Sequence, residues 1–147
     1  MDALQQLIET EELKKMMARY SVWGDTGQWE KFGTLFDDDL EVVIDAGPRA
    51  NPEADPRIAI SGKESFIQGM SAYTEGFTTH HQMVLPDITI ADENHASAVW
   101  NLHDYVKTPG VIFNGWGHMH HDYVRVNGEW KIRRVHTTRL MVDEEWL

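Results

Sequence analysis

The sequence contains no cysteine and is poor in basic residues. Without cysteine there is no disulfide framework, no thiolate metal site and no thiol nucleophile. The 13 Lys and Arg residues stand against 24 Asp and Glu residues, which gives a formal net charge of −11. This charge repels phosphate backbones and anionic lipid headgroups, and the basic residues are scattered. We therefore expect no nucleic-acid partner and no membrane partner.

The chain begins without a basic segment followed by an apolar one, and it has no internal repeat or low-complexity segment. A cytoplasmic location is the expectation that follows. The 147 residues suffice for one domain and are too few for two of ordinary size, so residues 1–147 are expected to form a single domain. Six Trp, four Tyr and five Phe residues supply large flat side chains, for a core or for a pocket that holds a ring.

Helical patterns occupy the first half of the chain. Apolar residues recur at helical spacing from Leu4 to Tyr20, from Trp29 to Phe36 and from Gly62 to Tyr73, which predicts three helices. The Gly-Asp-Thr-Gly segment at residues 24–27 separates the first two helices and places Asp25 at a helix junction.

The second half of the chain has the pattern of strands. An Asn127-Gly128 pair between two β-rich segments is a strong hairpin signal. The segment Ala46–Arg57 contains Asn-Pro and Asp-Pro pairs and is predicted to be a loop, placed to cover a pocket mouth. Helices followed by an antiparallel sheet indicate an α+β fold. The predicted strands are Leu40–Ile44, His80–Ile90, Ala96–Lys107, Val111–Val126 and Trp130–Val142.

The hairpin also predicts which residues share a face of the sheet. A two-residue turn pairs Tyr123 with Ile132 and His121 with Arg134. A β-bulge would exchange part of this assignment. Without one, the first face carries Met119, His121, Tyr123, Arg125, Trp130, Ile132, Arg134 and His136, and the second carries His118, His120, Asp122, Val124, Lys131, Arg133 and Val135.

Seven short motifs, in order over most of the chain, resemble those of SnoaL-like and scytalone dehydratase-like proteins of the nuclear transport factor 2 superfamily. The resemblance implies a cone-shaped α+β barrel, with three helices packed in a strongly curved antiparallel sheet around one ligand pocket. The motifs are Arg19-Tyr20, Asp25, Gln28-Trp29-Glu30, Leu35-Phe36-Asp37-Asp38, Gly62-Lys63-Glu64, Thr79-His80-His81 with Pro86, and Tyr123 to Ile132.

The same resemblance suggests catalytic residues. In the lyase branch, which includes scytalone dehydratase, bile acid 7α-dehydratase and hexachlorocyclohexane dehydrochlorinase, an Asp after the first helix and a His that opens a strand form the catalytic pair. Asp25 and His81 match those positions. Tyr20 and Asp104 match a helix Tyr and a strand Asp of the bile acid enzyme. Met119 stands where scytalone dehydratase has Asn, which argues against the identical substrate.

The chemistry of these residue types agrees with such a pair. Imidazole has a pKa near neutrality and serves as a general base, and an aspartate on its other nitrogen fixes the tautomer and stabilises the imidazolium. Asp25 has the alternative role of a helix cap. Because successive strand residues face opposite sides, only one of His80 and His81 enters the pocket, and the alignment favours His81.

Further side chains are candidates for the pocket wall. Tyr20 lies on the apolar stripe of its helix, either as a donor to substrate or as a core tyrosine, and Asp104 is either a pocket carboxylate or part of an ion pair. A His-metal site at His118 and His120 is disfavoured, because the hairpin puts them on the face opposite His121. The expected substrate contacts are Asp104, Trp100, Met119, His121, His136, Arg139 and Trp23.

The sequence thus predicts a cofactor-independent lyase. His81, held by Asp25, removes a proton from a small hydrophobic, aromatic or polycyclic substrate, and a β-leaving group departs. The alternatives are an isomerase or polyketide-type cyclase in the same pocket, or a ligand-binding protein without catalysis. The resemblance also implies a homo-oligomer, with a trimer favoured over a dimer.

Overall fold

The computed structural model describes residues 1–147 and contains three helices and six strands. No helix combines the length and the apolar character that crossing a bilayer requires. In chain order the elements are α1 (Ala3–Asp25), α2 (Trp29–Gly33), β1 (Phe36–Ile44), β2 (Ile58–Ser61), α3 (Lys63–Tyr73), β3 (Thr78–Ile90), β4 (His95–Lys107), β5 (Val111–Val126) and β6 (Glu129–Trp146).

The six strands form one curved sheet in the order β2-β1-β6-β5-β4-β3, with β2 and β3 as open edges. This arrangement confirms the predicted α+β class. It differs from the expectation in one respect, because β1 pairs with β6 in parallel and the sheet is therefore mixed. β1 and β6 lie at opposite ends of the sheet-forming part of the chain, so no tight turn forces them to be antiparallel.

α1 is longer than its sequence pattern predicts, at both ends. It continues through Gly24 to Asp25, where a Cβ on Gly24 would lie 3.2 Å from the Phe32 ring of α2, so the glycine allows the two helices to approach closely. At its start, Leu4 and Leu7 are exposed, and the buried stripe begins only at Glu9. The four-residue edge strand β2 was not predicted.

A β-bulge in β6 changes which residues face inward, so part of the predicted face assignment is wrong. Tyr123 pairs with Ile132 as expected, but the next ladder pair is Asp122 with Arg134, so Arg133 is an extra residue on β6. The side chains after it change sides, and His121 lies opposite Val135. The inward face of this part of β6 therefore carries Val135 and Thr137, both buried, whereas Arg134 and His136 lie outside.

A buried carboxylate joins α1 to the hairpin formed by β5 and β6. Glu9 accepts hydrogen bonds from Arg125 Nη2 at 2.6 Å, from Gln5 Nε2 at 2.8 Å and from Trp130 Nε1. The Arg125 guanidinium lies 4.3 Å from the centre of the Trp130 ring. Burial raises the pKa of Glu9, but the hydrogen bonds outweigh it and leave the pKa below its usual value.

Replacing Glu9 with Gln is expected to lower the free energy of unfolding by about 2 kcal/mol at neutral pH, because a charge-assisted pair is broken inside the protein. The folded-state pKa is depressed, so this stabilisation is present above the unfolded pKa and is lost as the pH falls through the folded value. Urea titrations at neutral and acid pH measure both effects. Glu11→Gln, on the exposed face of α1, is the matched control and should change stability by under about 0.5 kcal/mol. An equal loss in both variants would contradict the prediction.

Candidate functional site

An apolar cavity lies between the helices and the concave face of the sheet. It is lined by 19 residues, of which 12 are hydrophobic, and encloses about 730 Å³ including its open mouth. A concave site with a mainly apolar wall and a few polar side chains is typical of small-molecule sites. Tyr20 of α1 and His81 of β3 reach it, as do Asp104 and Met119 from the next two strands and Arg139 from β6.

Asp25 and His81 are hydrogen-bonded to each other at the edge of this cavity. His81 Nδ1 lies 2.7 Å from Asp25 Oδ1, and the backbone N–H of His81 donates to Asp25 Oδ2 at 3.0 Å. The hydroxyl of Thr79 also donates to Asp25 Oδ1, at 3.0 Å. These bonds go to β3, so the carboxylate is not a cap for its own helix. His81 Nε2 makes no hydrogen bond within the chain.

The two neighbouring histidines differ in their surroundings, as strand alternation requires. The side chain of His81 is 22% exposed and contributes to the cavity wall, whereas that of His80 is 62% exposed. His80 Nδ1 lies 3.9 Å from Asp25 Oδ2, beyond hydrogen-bond distance. A further bond from the Ser21 hydroxyl to the backbone oxygen of His81, at 2.6 Å, fixes β3 against α1.

Tyr20 presents an unpaired hydroxyl to the cavity. The residue is buried and its hydroxyl makes no hydrogen bond within the chain. Burial raises the pKa of the phenol, and the nearby carboxylates of Asp25 and Asp104 raise it further. The group is therefore a neutral hydrogen-bond donor at physiological pH.

Asp104 and Arg139 form a two-point ion pair in the cavity wall. Arg139 Nη1 and Nη2 lie 2.5 and 3.0 Å from the two carboxylate oxygens, and both side chains are 8% exposed. Arg139 Nε donates to the backbone oxygen of Ala46, where the loop that follows β1 begins. The pair rests against Gly115, where a Cβ would collide with both side chains. Asp104 therefore lines the cavity and is also part of an ion pair, the two alternatives that the sequence left open.

Four of the predicted substrate contacts lie outside the cavity wall. Trp100 and His121 are on the inner face of the sheet but are buried beyond the wall. His136 lies on the outer face, where its Nε2 is 2.8 Å from Asp45, because the bulge at Arg133 reverses its orientation. Trp23 packs against the edge of the core and beneath Arg19, where it lines a separate surface groove.

The outer face of the sheet carries three neighbouring histidines. The ring centre of His120 lies 6.5 Å from that of His118 and 6.2 Å from that of His136. No group of three or more His, Asp or Glu side chains is placed to hold a metal ion. The sequence signals missed Thr79 and Gly115. Thr79 belongs to a family motif and Gly115 stands alone in a strand pattern, but the role of each depends on partners distant in the chain.

Comparisons with known proteins identify a domain family and structural neighbours. The sequence matches the SnoaL-like domain model over residues 5–136, and no curated protein sequence matches with significance. A scytalone dehydratase-like protein from Novosphingobium aromaticivorans aligns with a TM-score of 0.77 at 20% identity, over 97% of this chain and 91% of its own. A hexachlorocyclohexane dehydrochlorinase from Novosphingobium barchaimii has a TM-score of 0.77 at 10% identity, over 98% and 94%. A protein of unknown function from Mycobacterium tuberculosis has a TM-score of 0.75 at 17% identity, over 92% of this chain and 73% of its own. At these identities the structural matches establish the shared fold.

Gly115→Ala is expected to destabilise the protein by about 1–3 kcal/mol, because the added methyl group displaces the buried pair of Asp104 and Arg139. Urea unfolding measures the change. Gly69→Ala, at an exposed position of α3 with no atom near the new methyl, is the control and should stabilise the protein by about 0.5–1 kcal/mol. A Gly115→Ala variant as stable as the wild type would show that the pair does not depend on the glycine.

Proposed function

The chain belongs to the SnoaL-like domain family, and on that premise we propose that it is a cofactor-independent lyase. In this proposal His81 and Asp25 are the catalytic pair. They remove a proton from carbon in a small hydrophobic substrate, and a β-leaving group departs. The observation that carries the proposal is the hydrogen bond of 2.7 Å between the two side chains, at the wall of an apolar cavity.

The proposed base is His81 Nε2. An ionised carboxylate only accepts hydrogen bonds, so Asp25 holds the ring proton on Nδ1 and leaves the lone pair of Nε2 for the substrate. This nitrogen takes a proton from a carbon next to an electron-withdrawing group, and Asp25 stabilises the resulting imidazolium. The electron pair left on carbon forms a double bond as the leaving group departs, and His81 then returns the proton to solvent or to the leaving group.

Tyr20 and the pair of Asp104 and Arg139 assist in this scheme. The neutral phenol of Tyr20 donates a hydrogen bond to a developing oxyanion or to the leaving group. Both oxygens of Asp104 already accept from Arg139, so we assign this carboxylate to holding the guanidinium in the wall rather than to proton transfer. The wall is otherwise mainly apolar, which supports a hydrophobic and aromatic substrate.

The same cavity also supports an isomerase. His81 is the only histidine in the cavity wall, so one imidazole both takes the proton and can return it at another carbon. The mass of the product separates the two reactions, because isomerisation conserves the substrate mass and elimination divides it. A cyclic ketone whose ring is fused to an aromatic ring, and which has a hydroxyl on its β-carbon, is a suitable substrate to distinguish the two reactions.

The His81→Ala and Asp25→Asn variants are expected to lose proton abstraction by on the order of 10²- to 10⁴-fold. Exchange of the α-protons of α-tetralone for deuterium, followed by NMR, measures this step without knowledge of the leaving group. His80→Ala is the matched control, because the neighbouring imidazole is exposed and does not bond Asp25. Circular dichroism establishes that each variant folds. Exchange at the wild-type rate in both dyad variants, or no acceleration by the wild type, would contradict the proposal.

We also propose that the chain assembles as a homotrimer. Large apolar side chains are exposed on the edge strand β3 and on β6, among them Leu85 at 80%, Leu140 at 77% and Met141 at 54%. Contiguous exposed apolar side chains are typical of interfaces, and Leu140 and Met141 are sequence neighbours on β6. Light scattering of the wild type is expected to give the mass of three chains, and Leu140→Asp should reduce it. A wild-type mass of one chain would refute the assembly and leave the catalytic proposal untouched.

A further inference from the structure

His121 holds the one buried side-chain polar atom without a hydrogen-bond partner in the chain. The residue is 2% exposed, and its Nε2 is completely covered. Buried polar atoms in folded proteins are nearly always paired, so an exception requires an explanation. The bond to the Tyr123 hydroxyl accounts for Nδ1 alone, so Nε2 is the ring atom that has no structural partner.

A chain of hydrogen bonds fixes the ring proton of His121. The indole N–H of Trp100 donates to the Tyr123 hydroxyl at 3.0 Å, and that hydroxyl lies 3.0 Å from His121 Nδ1. Indole is a donor only, so Tyr123 accepts from Trp100 and directs its own proton to Nδ1. The reverse arrangement would leave the Tyr123 proton unpaired as well. Nε2 therefore carries the hydrogen, and the unpaired atom is a donor.

This donor is uncharged. Burial, with a smaller contribution from the neighbouring His120, lowers the pKa of His121 to about 3. The groups that face the ring are themselves neutral, namely the phenols of Tyr123 and Tyr20. These neutral surroundings therefore favour a neutral acceptor oxygen, rather than an anion, as the partner of His121 Nε2.

The donor lies behind the part of the cavity wall that Met119 and Tyr20 form. His121 follows Met119 on the inner face of β5, and its ring centre is 6.0 Å from that of Tyr20; both neighbours line the cavity. Along β4, His81 lies opposite Asp104 and His121 lies opposite Ala98, six residues away. Met119 has an unbranched, flexible side chain that can change rotamer and extend the cavity to the Nε2 hydrogen.

We propose that His121 determines substrate specificity by donating its Nε2 hydrogen to a neutral acceptor oxygen, a ketone or ether, at the end of the ligand remote from His81. The inference rests on the proposed function in that it places the substrate in this cavity. It narrows the substrate class to elongated ring systems with an acceptor oxygen at the far end.

The test compares binding of fluorenone and fluorene, rigid ligands that differ in one ketone oxygen. The wild type is expected to bind fluorenone about tenfold more tightly, as one neutral hydrogen bond to a buried donor implies. His121→Phe should abolish this preference, and His121→Gln, which keeps a donor near the same place, should retain part of it. His120→Phe, on the outer face of the same strand, is the matched control and should keep the full preference. A preference that survives in His121→Phe, or a wild type that prefers neither ligand or binds neither, overturns the proposal.

NMR of histidine nitrogens in the wild type gives a second measurement that does not depend on the folding of a variant. His121 is expected as the Nε2–H tautomer without titration between about pH 5 and 8. Fluorenone should shift its Nε2 proton downfield and fluorene should not. An Nδ1–H tautomer, or an equal response to both ligands, overturns the proposal. Because fluorenone has no α-proton and is not turned over, His81→Ala should keep the preference. A failure of the dyad therefore leaves this result intact, and a failure of His121 leaves the dyad intact.

Discussion

The hydrogen bond between Asp25 and His81 is the contact on which the arrangement of the site depends. It joins the last residue of α1 to the start of an edge strand, two parts of the chain that are 56 residues apart. Asp25 also accepts from the His81 backbone and from Thr79, so one carboxylate orients the imidazole and holds the strand against the helix. A partly buried carboxylate without these donors would cost free energy. The folded state therefore keeps Asp25 bonded to His81, and this bond fixes the position of the imidazole ring.

Charge in the rest of the cavity is held in the same manner, in fixed pairs. Arg139 places two nitrogens on the oxygens of Asp104 and a third on the backbone of Ala46. A buried pair with its donors occupied contributes little net field to the cavity, so it leaves an environment suited to uncharged substrates. The polar groups of the cavity wall that make no hydrogen bond within the chain include the Tyr20 hydroxyl and His81 Nε2.

The sequence was sufficient to predict eight of the nine elements and the parity of β3, because periodicity and the Asn-Gly turn are local signals. It predicted that only one of His80 and His81 enters the pocket, and the structure brings His81 and Asp25 together. It was wrong for His136, since Arg133 is an extra residue on β6, and the parallel ladder between β6 and β1 is irregular at the same point. No local pattern encodes a bulge that depends on a strand so distant in the chain.

The two imidazoles of the inner sheet face show how surroundings divide one side-chain type into two roles. His81 has an ionised partner and access to the cavity, so a positive charge on its ring is stabilised and proton transfer is feasible. His121 has a neutral phenol as partner and no contact with water, so the same ring remains uncharged. Under the two proposals, a ligand that lies between them meets a base at one end and a donor at the other. The pair would therefore select both the orientation of the substrate and the carbon from which the proton is removed.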